Sequence, residues 1–305
     1  MVMLARPRSR SGGLAALVTV LMLGCAQSSA RPPRFEYSAA ELRQEILRRA
    51  PRQPISDLVI PFEIDAEAIE KARRVAMRRS GGQQQILALV DSLSDPDVFG
   101  LRYDWGATGS AQQTLERSVG NCLSLASVLI GLARGLGWRA YYVEATPADL
   151  EQYVESDVTV WADHMVALVV TPEARAFVDF AGEPDRRYRL KPIDDLAATA
   201  HFYNNRAYGW IHRAKGDASP IRWDRALADF EMATRIRPGF ARAWNNAGVA
   251  LTRLGRVERA KRAYDTAISI DAELPSPRQN LTLLQGRTEA MRPSPPSERS
   301  AERSR

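Results

Sequence analysis

The sequence predicts an α+β domain followed by an all-helical domain. Three observations carry this: helical spacing of apolar residues up to about Leu136, a change to period two between Trp138 and Phe180, and a return to helical spacing with an internal repeat from about Thr199. At 305 residues the chain has room for two domains of ordinary size. With 45% hydrophobic and 26% charged residues it belongs among globular chains rather than disordered or fibrous ones. The net charge of +6 includes Arg6, Arg8 and Arg10, and without these three it is 6 − 3 = +3. The remaining basic residues alternate with acids, which disfavours nucleic acid as a partner.

Those three arginines open a targeting segment. They precede an apolar run from Leu14 to Leu23, then Gly24 and Cys25. The run is short for a membrane span and is followed by polar sequence with Pro32 and Pro33. Leu21-Met22-Leu23-Gly24-Cys25 resembles a bacterial lipobox, in which the cysteine is lipidated and becomes the new N-terminus. Met22 stands where leucine is usual, and ordinary signal-peptide cleavage nearby is the alternative. Ala26, rather than aspartate, after the cysteine leans to the outer membrane. The expected organisation is a leader over 1–24, a linker over 25–36, an α+β domain over 37–196, a repeat domain over 197–286 and a disordered tail over 287–305.

Within the first domain, Ser38 can cap a helix to about Ala50, with Glu41 three residues on and Leu42, Ile46 and Leu47 on one face. Pro51 and Pro54 end it, and Leu58–Ile64, interrupted by Pro61, reads as extended. Asp65 caps a second helix, with Ile69, Ala72, Val75 and Ala76 as its stripe, and Gln83–Leu93 forms a third. Ser94–Thr114 is rich in loop signals. One helical turn at Thr114–Arg117 then enters Gly120-Asn121-Cys122, and an apolar helix with Leu125, Leu129, Leu132 and Leu136 in the core runs to Gly137. Strands follow over Trp138–Ala145, Val154–Trp161, Asp163–Val170 and Ala176–Phe180.

Trp244-Asn245-Asn246-Ala247-Gly248, with Leu251, Gly255, Ala260, Tyr264 and Ala267, resembles the tetratricopeptide repeat, with Ala272 where its closing proline is usual. Tyr203-Asn204-Asn205, Ala226, Phe230, Ala233 and Pro238 form a preceding unit with about seven extra residues, placed in the turn Gly216–Pro220. Two repeats rarely stand alone, so the first is expected to dock on the α+β domain and Asn280–Leu284 to lie in a capping helix. The repeats imply a protein or peptide partner, with Tyr203, Asn205, Trp244 and Asn245 as candidate contacts.

Cys122 begins a helix, where unpaired N–H groups and the positive end of the dipole favour negative charge. If Cys25 carries lipid, Cys122 is the other of only two cysteines, and no intrachain disulfide can form. A nucleophilic cysteine needs a base and a group that orients the base. Of three histidines, His201 and His212 fall on the first repeat helix and read as partly exposed surface residues, which leaves His164 at the start of a strand. Asp179, an acid in the apolar strand Phe177–Phe180, is the expected third group. A hairpin symmetric about Thr171-Pro172 places it directly opposite His164. Asp163 competes, but neighbours on a strand point to opposite faces.

Thr114-Leu115-Glu116, Gly120-Asn121-Cys122, Ala126, Leu132-Ala133-Arg134 and Gly137, followed by His164 and Asp179, together resemble the core of the transglutaminase-like superfamily over roughly residues 65–185. With the trailing repeats, the chain is similar to bacterial lipoproteins of that superfamily. The resemblance implies a papain-like fold and a triad in which Cys122 is nucleophile, His164 base and then acid, and Asp179 its orienter. The backbone N–H of Cys122, with Gln112, Gln113 or Tyr103, would supply the oxyanion site. Many members carry an acid or histidine two positions after the cysteine, where this chain has Ser124. The expected function is an envelope peptidase or amidase on the periplasmic face of the outer membrane, needing neither metal nor cofactor and touching the membrane through its lipid alone. The alternatives are an amide-transferring enzyme and a binding scaffold with an inactive papain-like domain.

Overall fold

The computed structural model describes residues 2–4, 17–21, 35–51, 58–147, 153–155, 158–160, 164–181, 188–216 and 221–290. Cys25, Asp163, the inter-helix turn at 217–220 and the tail from 291 lie outside them.

The N-terminal helices follow their capping signals. Helix α1 (Ala39–Arg49) has Ser38 as N-cap in a complete capping box with Glu41, and α2 (Ala66–Ala76) is capped by the Asp65 carboxylate. Helix α3 (Gly82–Ser94) buries Ile86, Leu89, Val90 and Leu93. After β3 (Arg102–Tyr103), α4 (Ala111–Arg117) and β4 (Val119–Gly120) comes α5 (Cys122–Gly135), buried on every side along most of its length. The uniform apolarity of its sequence has this cause: α5 is the central element of the domain. The carbonyl of Phe62 approaches Gly131 so closely that no side chain fits there.

The sheet lies against α5. Its strands are β5 (Arg139–Pro147), β8 (His164–Val170), β9 (Arg175–Asp179) and β10 (Tyr188–Ile193), all antiparallel, with β1 (Val2–Leu4) and β2 (Leu17–Leu21) beyond β9. The segment read as a leader thus provides edge strands in the unprocessed chain, with β2 antiparallel to β9 from Leu17↔Asp179 to Leu21↔Arg175. Strand β10, absent from the sequence reading, forms the opposite edge. Its Pro192, which argues against a central strand, is tolerated at an edge. The run expected over 154–161 contains β6 (Tyr153–Glu155) and β7 (Val158–Val160), a separate antiparallel pair.

Among the described residues five helices follow: α6 (Asp195–Gly216), α7 (Trp223–Ile236), α8 (Ala241–Arg253), α9 (Val257–Ile270) and α10 (Pro275–Ala290). They form two helical hairpins and a cap, as the repeat pattern predicts, except that α10 continues to Ala290 rather than ending at Gly286. The repeats are not a separate body. Phe202, Tyr203, Met232, Ile236 and Phe240 belong to the same buried cluster as Leu42, Ile60, Leu123 and Leu129. Polar bonds seal the junction: Val59 N–H donates to the Tyr203 hydroxyl at 3.1 Å and Arg49 donates to the Ile236 carbonyl at 2.7 Å. Arg134, on the last turn of α5, forms a two-pronged ion pair with the buried carboxylate of Asp195 at 2.8 and 2.9 Å. No described helix is long and apolar enough to cross a membrane.

Candidate active site

The site grows from the turn before α5. Gly120 is needed because a Cβ there would lie 2.8 Å from Ser124 Cβ and 2.9 Å from Thr114 Cγ2. Asn121 is the N-cap: its Oδ1 accepts from Ser124 N–H at 3.0 Å, and its amide donates to Thr108 Oγ1 at 2.9 Å. The fully buried Ser124 hydroxyl donates to Asn121 Oδ1 at 3.0 Å and accepts from Gly109 N–H at 2.9 Å. Ser124 therefore ties the cap to the 107–109 loop. Cys122, the first residue of α5, is 7% exposed.

Strands β8 and β9 bring the other two groups to this turn. The hairpin is closed by Thr171 N–H donating to the Ala174 carbonyl at 2.8 Å, with Val170 opposite Arg175 and Ala167 opposite Val178. That is two positions out of the symmetric register expected from Thr171-Pro172. A shift of two preserves the face, so His164 and Asp179 meet on the diagonal instead of directly across. His164 Nε2 lies 3.0 Å from Asp179 Oδ1. Asp179 Oδ1 also accepts from Ala181 N–H at 2.9 Å. Cys122 lies near enough to act on the charge of the same imidazole.

These neighbours decide the charge on His164. Burial is the largest influence and pushes its pKa down, but the Asp179 carboxylate and the Cys122 sulfur together outweigh it and hold the imidazole at about 10. An imidazolium placed between a carboxylate and a sulfur at neutral pH is the arrangement that covalent catalysis by cysteine uses.

The other expected site residues are placed differently. Gln112 donates to Asp65 Oδ2 at 3.0 Å and accepts from Asp65 N–H at 3.2 Å, while Gln113 closes the capping box of α4 with Ser110. Gln112 thus gives its amide N–H to Asp65, whereas Gln113 is engaged through its Oε1, which accepts from Ser110 N–H at 3.2 Å. Tyr103 is paired in β3 with Gly120, beside the nucleophile turn. Two of the expected peptide contacts are interior residues. Tyr203 is 1% exposed and bonded to Val59, and Asn245 is fully buried in a run of amides linking Asn204, Asn246, Asn245 and Asn280. Trp244 is half-buried, its indole N–H on the Pro238 carbonyl, and the Asn205 carbonyl accepts from Thr108. His201 is also buried, its ring centroid 4.4 Å from that of Phe240 and tilted to it, with the Arg237 guanidinium 3.2 Å from its Nε2.

With this geometry in place, the comparisons define the class. The transglutaminase-like superfamily model matches residues 84–213, which include Cys122, His164 and Asp179 and extend well into α6. A tetratricopeptide repeat matches residues 241–274, the α8–α9 hairpin. The chain carries a transglutaminase-like α+β domain followed by a tetratricopeptide repeat, in that order. No curated protein matches it. That domain is of a kind usually catalytic through cysteine, as a peptidase or transferase, and the repeat is a protein-interaction element.

Proposed function

We propose that this protein is a cell-envelope thiol hydrolase that cleaves a peptide or isopeptide amide through an acyl-enzyme on Cys122. The observation that carries the reading is the His164 imidazole, partly buried, 3.0 Å from Asp179 and held above its ordinary pKa by Asp179 and Cys122. In the first step the Cys122 sulfur attacks the amide carbonyl and the C–N bond breaks as His164 gives its proton to the leaving amine. Water then attacks the thioester, His164 takes a proton from it, and the acid product leaves as the sulfur is restored. Asp179 keeps the imidazole oriented and stabilises its charge throughout. The Cys122 backbone N–H, at the start of α5, is the expected oxyanion donor. Transfer of the acyl group to an amine in place of water uses the same residues and differs only in which acceptor reaches the thioester. Leader removal and lipidation of Cys25 would anchor the enzyme at the periplasmic face of the outer membrane, with the repeats recruiting a substrate or partner.

The test is alkylation by iodoacetamide near neutral pH, followed by mass spectrometry. Cys122 is expected to react at least tenfold faster than an ordinary thiol, and His164→Ala to remove the excess. Slow labelling that ignores His164→Ala rejects the hydrolase in favour of a binding scaffold.

A further inference from the structure

The loop before α4 is fastened to both sides of the nucleophile turn. Asp104 N–H donates to the Gly120 carbonyl at 3.0 Å, and Asn121 N–H donates to the Ala107 carbonyl at 2.8 Å. The loop between these two bonds carries Trp105, 54% exposed, and Tyr103 just before it is 39% exposed. Exposed aromatic rings on a loop bonded to the nucleophile turn suit recognition, since rings of this size are among the strongest contributors to binding when covered. They are not on a free loop. Trp105 packs against Tyr208 of α6 with ring centroids 5.9 Å apart at 50°, and the Gly106 carbonyl fits close against Gly209.

Two charged groups near these rings make bonds within the protein. Asp104 Oδ1 accepts from Gly106 N–H at 2.9 Å, and Arg206, two residues before Tyr208, is clamped by Asp229 at 2.8 and 2.6 Å. The rings offer apolar faces, which suit a bulky apolar group.

We infer that Tyr103, Trp105 and Tyr208 form the substrate side-chain subsite of the proposed hydrolase, taking a large apolar or aromatic side chain of a peptide next to the scissile amide. The inference rests on the hydrolase reading and adds its substrate class. It also assigns α6, the first helix of the repeats, a direct part in the cleft through Tyr208.

The experiment uses the full chain and two peptidyl acyloxymethyl ketones, one with phenylalanine and one with glycine beside the reactive group. The expected result is a phenylalanine-to-glycine ratio of labelling rates at Cys122 of about ten or more. Trp105→Ala should bring that ratio close to one, Tyr208→Ala should lower it less, and Trp105→Phe, which keeps a ring with minimal risk to folding, should retain most of it. A wild-type ratio near one, with iodoacetamide labelling still dependent on His164, overturns the subsite and leaves the hydrolase standing. So does faster labelling by a ketone carrying an amino sugar in place of phenylalanine. Iodoacetamide labelling that ignores His164 removes the hydrolase itself, a separate result from either.

Discussion

At the scale of single residues, His164 has the sharpest consequence. Its imidazole titrates near 10 in the folded protein and has an ordinary value of 6.5. Below pH 6.5 both the folded and unfolded chains hold this proton, and its stabilising contribution is complete. Between pH 6.5 and 10 the unfolded chain releases the proton while the folded chain retains it, so stability falls as pH rises through that window. The urea midpoint is expected to decline across it, and Asp179→Asn, which removes the carboxylate, should flatten the decline. A slope that Asp179→Asn leaves unchanged would show that other groups carry the pH dependence. The three residues concerned were legible in the sequence because so few alternatives existed: two cysteines, three histidines and one acid within the Phe177–Phe180 strand. What the sequence could not show was occupancy. Gln112 has the chemistry of an oxyanion donor, but a capping carboxylate at Asp65 takes its amide N–H through a contact that spacing alone does not reveal.

At the scale of elements, local signals were read correctly where the chain satisfies its own backbone groups. The caps at Ser38 and Asp65 begin α1 and α2 as their side-chain chemistry dictates. Register and edges are set by tertiary pairing and were less legible. The β8–β9 hairpin differs by two positions from the symmetric one, and β10 escaped notice because Pro192 and its charged neighbours resemble a loop. The register error was harmless to the site because side chains on a strand alternate with period two. The same reasoning makes a prediction. Deleting one residue of the Thr171–Ala174 turn moves the pairing by an odd step and turns either Asp179 or the strand's buried residues to the wrong face. Such a variant should lose the His164-dependent excess in Cys122 alkylation. A deletion variant that folds and keeps full reactivity would mean that the Asp179 contact is not needed to orient His164.

At the scale of the whole molecule, repeat signature and α+β pattern suggest two parts that could be separated, and the packing argues otherwise. Phe202 and Tyr203 of α6, Ile236 of α7 and Phe240 after it are buried in the core that contains Leu123 and Leu129 of the nucleophile helix. Full burial of a side chain of this kind is worth about 1.5–3 kcal/mol. Four of them together rival the roughly 5–15 kcal/mol that holds a typical domain folded. Removing them would also expose their partners on α1 and α5 and leave Val59 N–H without the Tyr203 hydroxyl. A chain ending at Leu196 is therefore expected to be insoluble, or to bind an apolar dye and unfold without a sharp transition. The Thr108 hydroxyl would lose the Asn205 carbonyl as well, so the loop that braces Asn121 should loosen and Cys122 reactivity should fall even in any soluble fraction. If that shortened chain instead unfolds cooperatively with undiminished Cys122 alkylation, the repeats are a detachable recruiting module and α6 has no part in the cleft.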